Sequence, residues 1–324
     1  MSLKCSLIIP VYNEESCLRK CLESCFHQSL PSDDYEVIVV DDGSSDGSVA
    51  IAQSFPVRVV EQKNQGPAKA RNSGAEVAQG RIFVFTDADC YLSYHFLKNM
   101  TDPILSGECD GVQGVYGTEQ KEFMSQFVQK EIESRYDVMK KNQYIDHIGT
   151  YAAAYSSNVF CSFDGFCTDF KTASGEDTEF SHRLASKGHL LKLSNHAQVF
   201  HEHPSRFFEY LRIKFYRGYW RVLLYSRHPE RVLKDSYTPQ ILKFEVAIAP
   251  VFLCGLFLSL WFGEYLVIGF SLLTVYGKSS FDIAKRMRRP IFSFPLVLIS
   301  VVARSLSLWA GLVAGSCSGL ISRS

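Results

Sequence analysis

Short apolar runs alternate with longer amphipathic stretches over the amino-terminal part of this 324-residue chain. The apolar runs at residues 5–11, 36–40, 57–61 and 82–86 predict four strands, and a segment that can form a helix follows each of them. Such an alternation predicts an α/β fold, with a Rossmann-like, mostly parallel sheet and flanking helices. We expect this domain to occupy residues 1–205.

The second half of the predicted domain has a less regular pattern. We expect a strand at 111–116, a long polar helix at 119–141 and a strand at 197–200. Small and aromatic residues fill 149–160, which is predicted as a pocket wall or as a plain strand. A further helix is predicted to begin beside Gly175.

Basic and aromatic residues interleave in the next region, 206–240. On a helical wheel Phe208 and Phe215 fall on one side, while Lys214 and Arg217 fall on the other. An apolar face opposite a basic one is typical of a helix at a membrane surface, so we interpret this region as amphipathic interfacial helices.

Long apolar runs dominate the last region, 241–324. Residues 244–263 and 291–315 are each long enough to cross a hydrocarbon core of about 30 Å, whereas 265–276 is short for a span. Five basic residues between the runs indicate a cytoplasmic loop: Lys278, Lys285, Arg286, Arg288 and Arg289. We therefore expect two or three crossings, a multi-pass protein of the plasma or inner membrane, and a cytoplasmic amino-terminal domain.

Composition adds two limits to this picture. The chain has 34 basic and 34 acidic residues, so its net charge gives no reason to expect a nucleic-acid partner. It has ten cysteines but no CxxC pair, and Cys17, Cys21 and Cys25 recur at helical spacing. We predict that the cysteines are reduced thiols, most of them packed as small apolar residues.

Carboxylates follow two of the predicted strands. Asp87 and Asp89 come directly after the strand at 82–86, and Asp42 comes directly after the strand at 36–40. Ligands of open α/β sheets bind at the carboxyl ends of strands, and an Asp-x-Asp pair there suits a hard divalent cation. A polar turn in which an Asp caps the next helix is the alternative.

Two further acids and one histidine are candidates for chemistry. Glu176 and Asp177 lie at the predicted amino-terminal end of a helix, where they either face a cleft or only complement the helix dipole. His201 follows the strand at 197–200 and is predicted either to complete a metal site or to be structural.

The segment after the first strand excludes one class of enzyme. A dinucleotide-binding unit would carry G-x-G-x-x-G there, and the chain instead reads Tyr12-Asn13-Glu14-Glu15. Asn13 is predicted to cap the helix that follows.

Five short polar motifs occur in order along the predicted domain. They are Pro10-Val11-Tyr12-Asn13-Glu14, Val40-Asp41-Asp42-Gly43-Ser44, Ala70-Arg71-Asn72-Ser73-Gly74, Thr86-Asp87-Ala88-Asp89 and Gly175-Glu176-Asp177-Thr178-Glu179. Together they resemble the motif series of the family 2 glycosyltransferases, which have the GT-A fold. The resemblance implies an inverting hexosyltransferase that uses a nucleotide-diphosphate sugar as donor and a divalent cation, Mg²⁺ or Mn²⁺, as cofactor.

The resemblance also implies a role for each matching residue. On the donor side, Pro10, Tyr12 and Glu14 would border the nucleotide, Asp42 would accept from the base, and Arg71 would lie over the base and phosphates. Asp87 and Asp89 would hold ribose and metal, with Asp89 the more direct ligand. Asp177 would be the catalytic base and Glu176 its reserve, because inverting transfer needs one base to take the acceptor proton.

One departure from the family bears on the acceptor. Processive membrane synthases of this family carry Gln-x-x-Arg-Trp in the interfacial region, whereas this chain has Lys214, Arg217 and Trp220 at a different spacing. We therefore expect one sugar per event, moved to a polyprenyl phosphate or a lipid-linked oligosaccharide in cell-envelope glycan synthesis.

Two other functions stay open at this point. A nucleotidyltransferase shares the strand and helix alternation, but would be expected to have a Gly-rich, Arg-containing loop after the first strand, which residues 11–15 do not provide. A catalytically inactive relative that binds nucleotide sugar as a membrane scaffold would not need Asp87, Asp89 and Asp177.

Overall fold

The computed structural model describes residues 3–170, 175–232, 235–259, 261–263, 266–288 and 293–318. Expectations that involve Ser174, Glu264, Tyr265, Arg289 and Ile291 lie outside these residues. The chain divides into two compact units. The first unit comprises Met1–Glu119 and Met139–Glu202, and the second comprises Gln120–Val138 and His203–Ser324.

The first unit contains an eight-stranded sheet in the order β3-β2-β1-β4-β7-β6-β8-β5. Its strands are β1 (Cys5–Val11), β2 (Tyr35–Asp41), β3 (Arg58–Glu61), β4 (Ile82–Thr86), β5 (Cys90–Leu92), β6 (Gly111–Gly117), β7 (Ala152–Ser156) and β8 (Leu191–His201). Neighbours from β3 to β4 are parallel, as are β6 and β8. Strand β7 runs antiparallel to β4 and β6, and β5 runs antiparallel to β8. The predicted α/β fold is confirmed, with a mixed sheet.

Helices flank this sheet and form most of the second unit. In the first unit they are α1 (Leu18–Phe26), α2 (Ser48–Gln53), α3 (Pro67–Val77), α4 (Phe96–Leu105), α6 (Ser157–Ser162) and α7 (Glu176–Ser186). In the second unit they are α5 (Phe123–Met139), α8 (Phe207–Arg227), α9 (Gln240–Ser259), α10 (Leu266–Met287) and α11 (Phe294–Cys317).

Apolar strands form the centre of the first unit because both faces of the sheet are covered. All five residues of β4 are buried, and this strand has the predicted bounds. Helix α3 begins at Pro67, because proline at a first helical position loses no hydrogen bond. Cys21 and Cys25 of α1 are buried against this core, and all ten cysteines are free thiols.

Two local predictions for the first unit were wrong, and a third, a strand within 149–160, was right only in part. Asn13 does not cap α1, which begins at Leu18; its backbone is left-handed (φ 55°) and its Oδ1 accepts the N–H of Ser45 at 2.8 Å. Strand β8 begins at Leu191, well before the predicted residue 197, because it pairs with β6 on both sides of a register shift. Residues 149–160 form both a strand, β7, and a helix, α6.

The second unit differs from the expected interfacial helix in one important side chain. Lys214 is only 3% exposed and donates to Glu131 of α5 at 2.7 Å, so it does not lie on an outer basic face. Phe208 is exposed, as expected for an apolar outer face. The helical wheel placed Lys214 on an exposed face because it considers one helix alone and cannot include a carboxylate from α5.

Two helices among the described residues, α9 and α11, are long and apolar enough to cross a membrane. Helix α10 carries Lys278, Lys285 and Arg286, which were predicted to lie in a loop. Helices α8 and α11 approach each other closely through glycines. A Cβ added at Gly311 would meet the carbonyl oxygen of Phe215, and one added at Gly218 would meet that of Leu308.

Candidate functional site

A cavity of about 440 Å³ opens at the carboxyl ends of β1, β2 and β4. This is the edge of the sheet where ligands of open α/β folds bind, and the volume is typical of small-molecule sites. Each strand end and the start of α3 contribute to the wall. The lining residues are Pro10, Val11, Tyr12, Glu14, Asp42, Asn64, Gly66, Pro67, Ala70, Arg71, Asp87, Ala88 and Asp89.

Asp42 is buried and holds the loop between β3 and α3 in place. Its Oδ1 accepts from the side-chain amide of Gln62 at 2.7 Å and from the N–H of Gln65 at 2.9 Å. Its Oδ2 accepts from the N–H of Gly66 at 2.9 Å. Asp42 therefore fixes the backbone that forms one side of the cavity.

Arg71 joins two acidic segments that are far apart in the sequence. It is 2% exposed, donates to Asp87 Oδ1 at 2.7 Å, and donates to Glu176 Oε1 at 3.0 Å. Its Nε is buried without a hydrogen-bond partner among the described residues. A buried guanidinium is stable only when it is paired, and these two carboxylates provide the pairing.

Asp87 and Asp89 have oxygen atoms close enough to share one cation. One ligand atom from each lies within 4.8 Å of the other and of the Cys90 sulfur. Burial raises the pKa of Cys90 well above its ordinary value, so this thiol keeps its proton and is a poor metal ligand. The candidate donors at this point are thus the carboxylates.

His201 reaches the same place from β8. Strand β5 pairs with β8 so that Cys90 lies opposite His201, and His201 Nε2 is 3.0 Å from Asp89 Oδ2. Burial would raise the pKa of Asp89, but the hydrogen bond and charge of His201 more than offset it and lower the pKa. Two carboxylates beside an imidazole are a donor set that fits a divalent cation.

The charge of the cavity also fits a cation. Glu14, Asp42, Asp87 and Asp89 line it, with Arg71 as the single cationic side chain among its described lining residues. Two like unit charges 4 Å apart repel by about 4 kcal/mol at an effective dielectric constant of about 20. A diphosphate would therefore be repelled here unless a divalent cation accompanied it.

Helix α7 presents two acids with different environments at its first turn. Glu176 is buried, which raises its pKa to about 7, with the charge of Asp177 adding to the effect and that of Arg71 opposing it. Asp177 is half-buried, and its Oδ1 accepts from the N–H and the hydroxyl of Thr178. The Thr178 hydroxyl is also 3.1 Å from His147 Nδ1, so Asp177 is held by a short polar chain.

Most of the predicted donor and metal residues come together around one cavity. Its lining includes Pro10, Tyr12, Glu14, Asp42, Arg71, Asp87 and Asp89. His201 joins them through Asp89, and Glu176 joins them through Arg71. Asp177 is not one of the described lining residues, and it is linked to the cavity through its charge, which acts on Arg71 and on its neighbour Glu176.

The sequence analysis missed several polar residues at this site. Gln62 and Asn64 follow β3, at the same sheet edge as Asp42 and Asp87, and that position was the signal that could have identified them. His147 and Thr178 gave no comparable signal, because their contact with each other depends on the tertiary structure.

The α/β sheet, with its acidic strand ends around one cavity, is a fold that this chain shares with solved glycosyltransferases of the GT-A type. The chain matches the sequence model of the protein family described as Glycosyl transferase family 2 over residues 6–168, and it belongs to that family. The enzyme class predicted from the motifs is thereby confirmed.

Curated relatives and solved structures agree with this assignment. Glycosyltransferase AglE of Haloferax volcanii is 33% identical over 223 residues, covering 65% of this chain and 70% of that protein. The poly(ribitol-phosphate) beta-glucosyltransferase of Bacillus spizizenii is 35% identical over 126 residues, 35% of this chain, and the match spans only 20% of that relative.

Two solved structures share the fold at lower identity. The mannosyltransferase PcManGT from Pyrobaculum calidifontis, in complex with GDP-Man and Mn²⁺, has a TM-score of 0.63 and 20% identity, covering 100% of this chain and 89% of that one. TarS 1-349 of S. aureus, in complex with UDP-GlcNAc, has a TM-score of 0.53 and 19% identity, covering 98% and 92%. At these identities the likeness shows the fold.

Proposed function

We propose that this enzyme transfers a single sugar, with inversion, from a nucleotide-diphosphate sugar to a membrane-associated acceptor. The observation that carries the proposal is the double ion pair of Arg71, with Asp87 on one side and Glu176 on the other. One guanidinium thereby connects the acidic strand end with the helix that bears Asp177. Residues proposed to bind the sugar donor and the helix that carries the proposed catalytic base are thus joined by one network of charges, although they lie far apart in the sequence.

The donor site in this proposal is the cavity at the strand ends. Pro10, Tyr12 and Glu14 border the nucleotide, and the half-exposed ring of Tyr12 is available to stack on the base. Asp42 accepts from the base, because an oxygen that already accepts one N–H retains a second lone pair. Arg71 contributes positive charge near the phosphates, and its buried Nε is a donor that a ligand can use.

A divalent cation, Mg²⁺ or Mn²⁺, is part of the proposal. Asp89, Asp87 and His201 would hold it, Asp89 most directly, and the carboxylate excess of the cavity supports this choice. When bound, the cation supplies neutralising charge for the departing diphosphate. The Mn²⁺ in the PcManGT complex belongs to a protein of the same fold.

Asp177 is the proposed catalytic base. Its Oδ1 is held by Thr178, so Oδ2 is the atom that takes the proton from the acceptor hydroxyl. The acceptor oxygen forms a bond to the anomeric carbon while the bond from that carbon to the diphosphate breaks. Glu176, the reserve candidate, is buried against Arg71 and positions that guanidinium.

We further propose that the acceptor is a polyprenyl phosphate or a lipid-linked oligosaccharide at a cell membrane. Helices α9 and α11 support membrane attachment by their length and apolarity. In this proposal the protein crosses the plasma or inner membrane at least twice, with the catalytic domain in the cytoplasm, where its free thiols stay reduced.

The test replaces Asp177 by Asn in full-length protein in membranes and measures donor binding and transfer separately. We expect donor binding to persist and transfer to fall by roughly 10²-fold or more for a hydroxyl acceptor, because the base is lost. A phosphate acceptor is already ionised, so its transfer should fall much less, and the variant thus separates the two acceptor classes. Asp102→Asn, at an exposed position on α4, is the matched control. Unchanged transfer to a hydroxyl acceptor would refute the base assignment.

A further inference from the structure

The second unit contains a cavity of its own. Its volume is about 370 Å³, within the range of small-molecule sites. Helices α5, α8, α9 and α11 all contribute side chains to it. All residues proposed above for donor, metal and base belong to the first unit, so this cavity has no role in that chemistry as described.

One wall of this cavity is cationic. Arg135, Lys214, Arg217, Arg221 and Lys243 line it, and its described lining residues include no carboxylate. Five positive charges in one small volume are costly unless anions compensate them.

Only part of this charge is compensated by the protein. Glu131 accepts from Arg135 at 2.8 Å and from Lys214 at 2.7 Å, and Asp235 pairs with Lys243. Among the described residues, Arg217 and Arg221 have no carboxylate within ion-pair distance. An external anion can therefore pair with Arg217 and share Arg221, whose guanidinium also donates to the Tyr225 hydroxyl at 3.2 Å.

Arg135 provides a second, independent sign of a missing acceptor. Its Nε is buried and has no hydrogen-bond partner among the described residues, although another nitrogen of the same guanidinium donates to Glu131 and the guanidinium lies 4.8 Å from the centre of the Tyr237 ring. Buried polar groups are nearly always hydrogen-bonded, so an orphan donor on a cavity wall points to a ligand acceptor.

The other part of the lining, the apolar wall, comes from the two helices that are able to cross a membrane, and one of them, α9, also carries Lys243 of the cationic part. Leu242 and Val246 of α9 line the apolar wall together with Leu308, Trp309 and Leu312 of α11. Hydrocarbon can pack along this wall, whereas a small hydrophilic anion would gain nothing from it.

We infer that this cavity binds a phosphate-headed lipid. Arg217 and Arg221 pair with the phosphate, the Nε of Arg135 donates to one of its oxygens, and the chain lies along Leu308 and Leu312. Arginine suits this role because its planar fork matches phosphate oxygens. The choice of a lipid over a free phosphate rests on the apolar wall and on the membrane attachment proposed above.

The experiment measures binding of dodecyl phosphate to the full-length protein in a non-ionic detergent. Inorganic phosphate and dodecanol serve as the head-only and chain-only probes. We expect saturable binding of dodecyl phosphate. Inorganic phosphate and dodecanol should each bind about tenfold or more weakly than dodecyl phosphate, because each lacks the contribution of one wall. Inorganic phosphate that binds as tightly as dodecyl phosphate would overturn the lipid assignment, and dodecanol that does so would overturn the role of the arginines.

Variants test the same site from the protein side. R217Q/R221Q should weaken dodecyl phosphate binding by about tenfold or more, and R217K/R221K, which keeps the charge, should retain most of it. R212Q, an exposed arginine of the same helix outside the cavity lining, is the control and should bind like the unaltered protein. Equal binding by R217Q/R221Q and R212Q would overturn the inference.

Failure of this inference is distinguishable from failure of the proposed function. If the proposed function is wrong, the unaltered protein will not bind a nucleotide sugar in the presence of Mn²⁺. If the lipid inference is wrong, binding of dodecyl phosphate will not depend on the two arginines, whatever the result for the nucleotide sugar.

Discussion

Arg71 has the most constrained environment of the side chains at the candidate site. It is buried, charged and shared between Asp87 and Glu176, which lie 16 and 105 residues away along the chain. The motif pattern identified Arg71 as a site residue. It could not identify the pairing with Glu176, because a contact over that sequence distance depends on how α3 and α7 meet in the fold.

Arg71→Ala should therefore affect stability as well as donor binding. Above about pH 7, where Glu176 is ionised, removing Arg71 leaves this carboxylate as an uncompensated buried charge and costs about 3–5 kcal/mol. Thermal or denaturant unfolding of the first unit measures this cost. Arg81→Ala, at an exposed position, is the matched control and should change stability by about 0.5 kcal/mol or less. Equal stability of the two variants would contradict the structural role of Arg71.

Asp89 should be the residue on which metal-dependent donor binding depends most. Asp89→Asn keeps the size of the side chain but removes its charge and weakens its value as a ligand for a hard cation. We expect donor affinity in the presence of Mn²⁺ to fall by about tenfold or more, by analogy with the cost of losing a charge-assisted contact. Titration calorimetry with and without Mn²⁺ measures this, and an unaltered metal requirement would count against the assignment.

Glu176 predicts a pH dependence of stability. Burial raises its pKa from 4.5 to about 7, so the folded protein keeps this proton over a range in which the unfolded chain has lost it. The stability that this group contributes is complete below about pH 4.5 and is lost as the pH rises to about 7. Glu176→Gln cannot titrate, so its melting temperature should improve relative to the unaltered protein between about pH 5 and about pH 8. Glu61→Gln, on an exposed part of β3, should show no such trend, and a pH-independent difference for Glu176→Gln would contradict the prediction.

The secondary-structure elements show which features a sequence pattern can predict and which it cannot. Strand β4 agrees with its prediction because a local signal, an unbroken apolar run, determines it. Lys214 was assigned to the wrong face of α8 because its partner Glu131 lies 83 residues earlier in the chain. Lys214, Arg135 and Arg304 surround Glu131, and their charges more than offset its burial and lower its pKa.

The close approach of α8 and α11 predicts that alanine destabilises the protein at Gly311, whereas at Gly277, where there is space, alanine should stabilise it. At Gly311 an added methyl group would collide with the backbone of α8, so Gly311→Ala should destabilise the protein by about 1–3 kcal/mol. At Gly277 of α10 nothing lies within 4 Å of an added Cβ, so Gly277→Ala should stabilise by up to about 1 kcal/mol through helix propensity. Melting temperatures in one detergent compare the pair. Two effects of the same sign would contradict the described packing.

At the scale of the whole molecule, the two units are interleaved along the chain. The change in amino-acid composition near residue 205 lies close to His203, after which the rest of the chain belongs to the second unit. Gln120–Val138 belongs to that unit too, although it was expected in the catalytic domain. No composition change marks this segment, because α5 mixes apolar and polar residues as the helices of the first unit do, and its buried charges pair with helices that come much later in the chain.

A chain shortened to residues 1–205 should therefore have an unprotected α5. Glu131 and Arg135 would lack Lys214, Tyr210 and Arg304, and the helix would lose the surface that buries it. We expect trypsin to cleave after Lys130 and Arg135 rapidly in the shortened chain and slowly in the full-length protein. Mass spectrometry of the fragments identifies the sites, and equal protection of α5 in both chains would contradict the described division.

Helix α5 belongs to the second unit but is encoded between two segments of the first unit, so during synthesis it emerges well before its packing partners. Lys214 follows Glu131 by 83 residues, so at about 5–20 residues per second the ribosome delivers the lysine about 4–17 s after the glutamate. Arg304, on the final helix, arrives later still. Nascent chains thus carry a solvated, unassembled α5 for seconds, and slowing translation between residues 139 and 203 would lengthen the time during which chaperones and proteases can reach it.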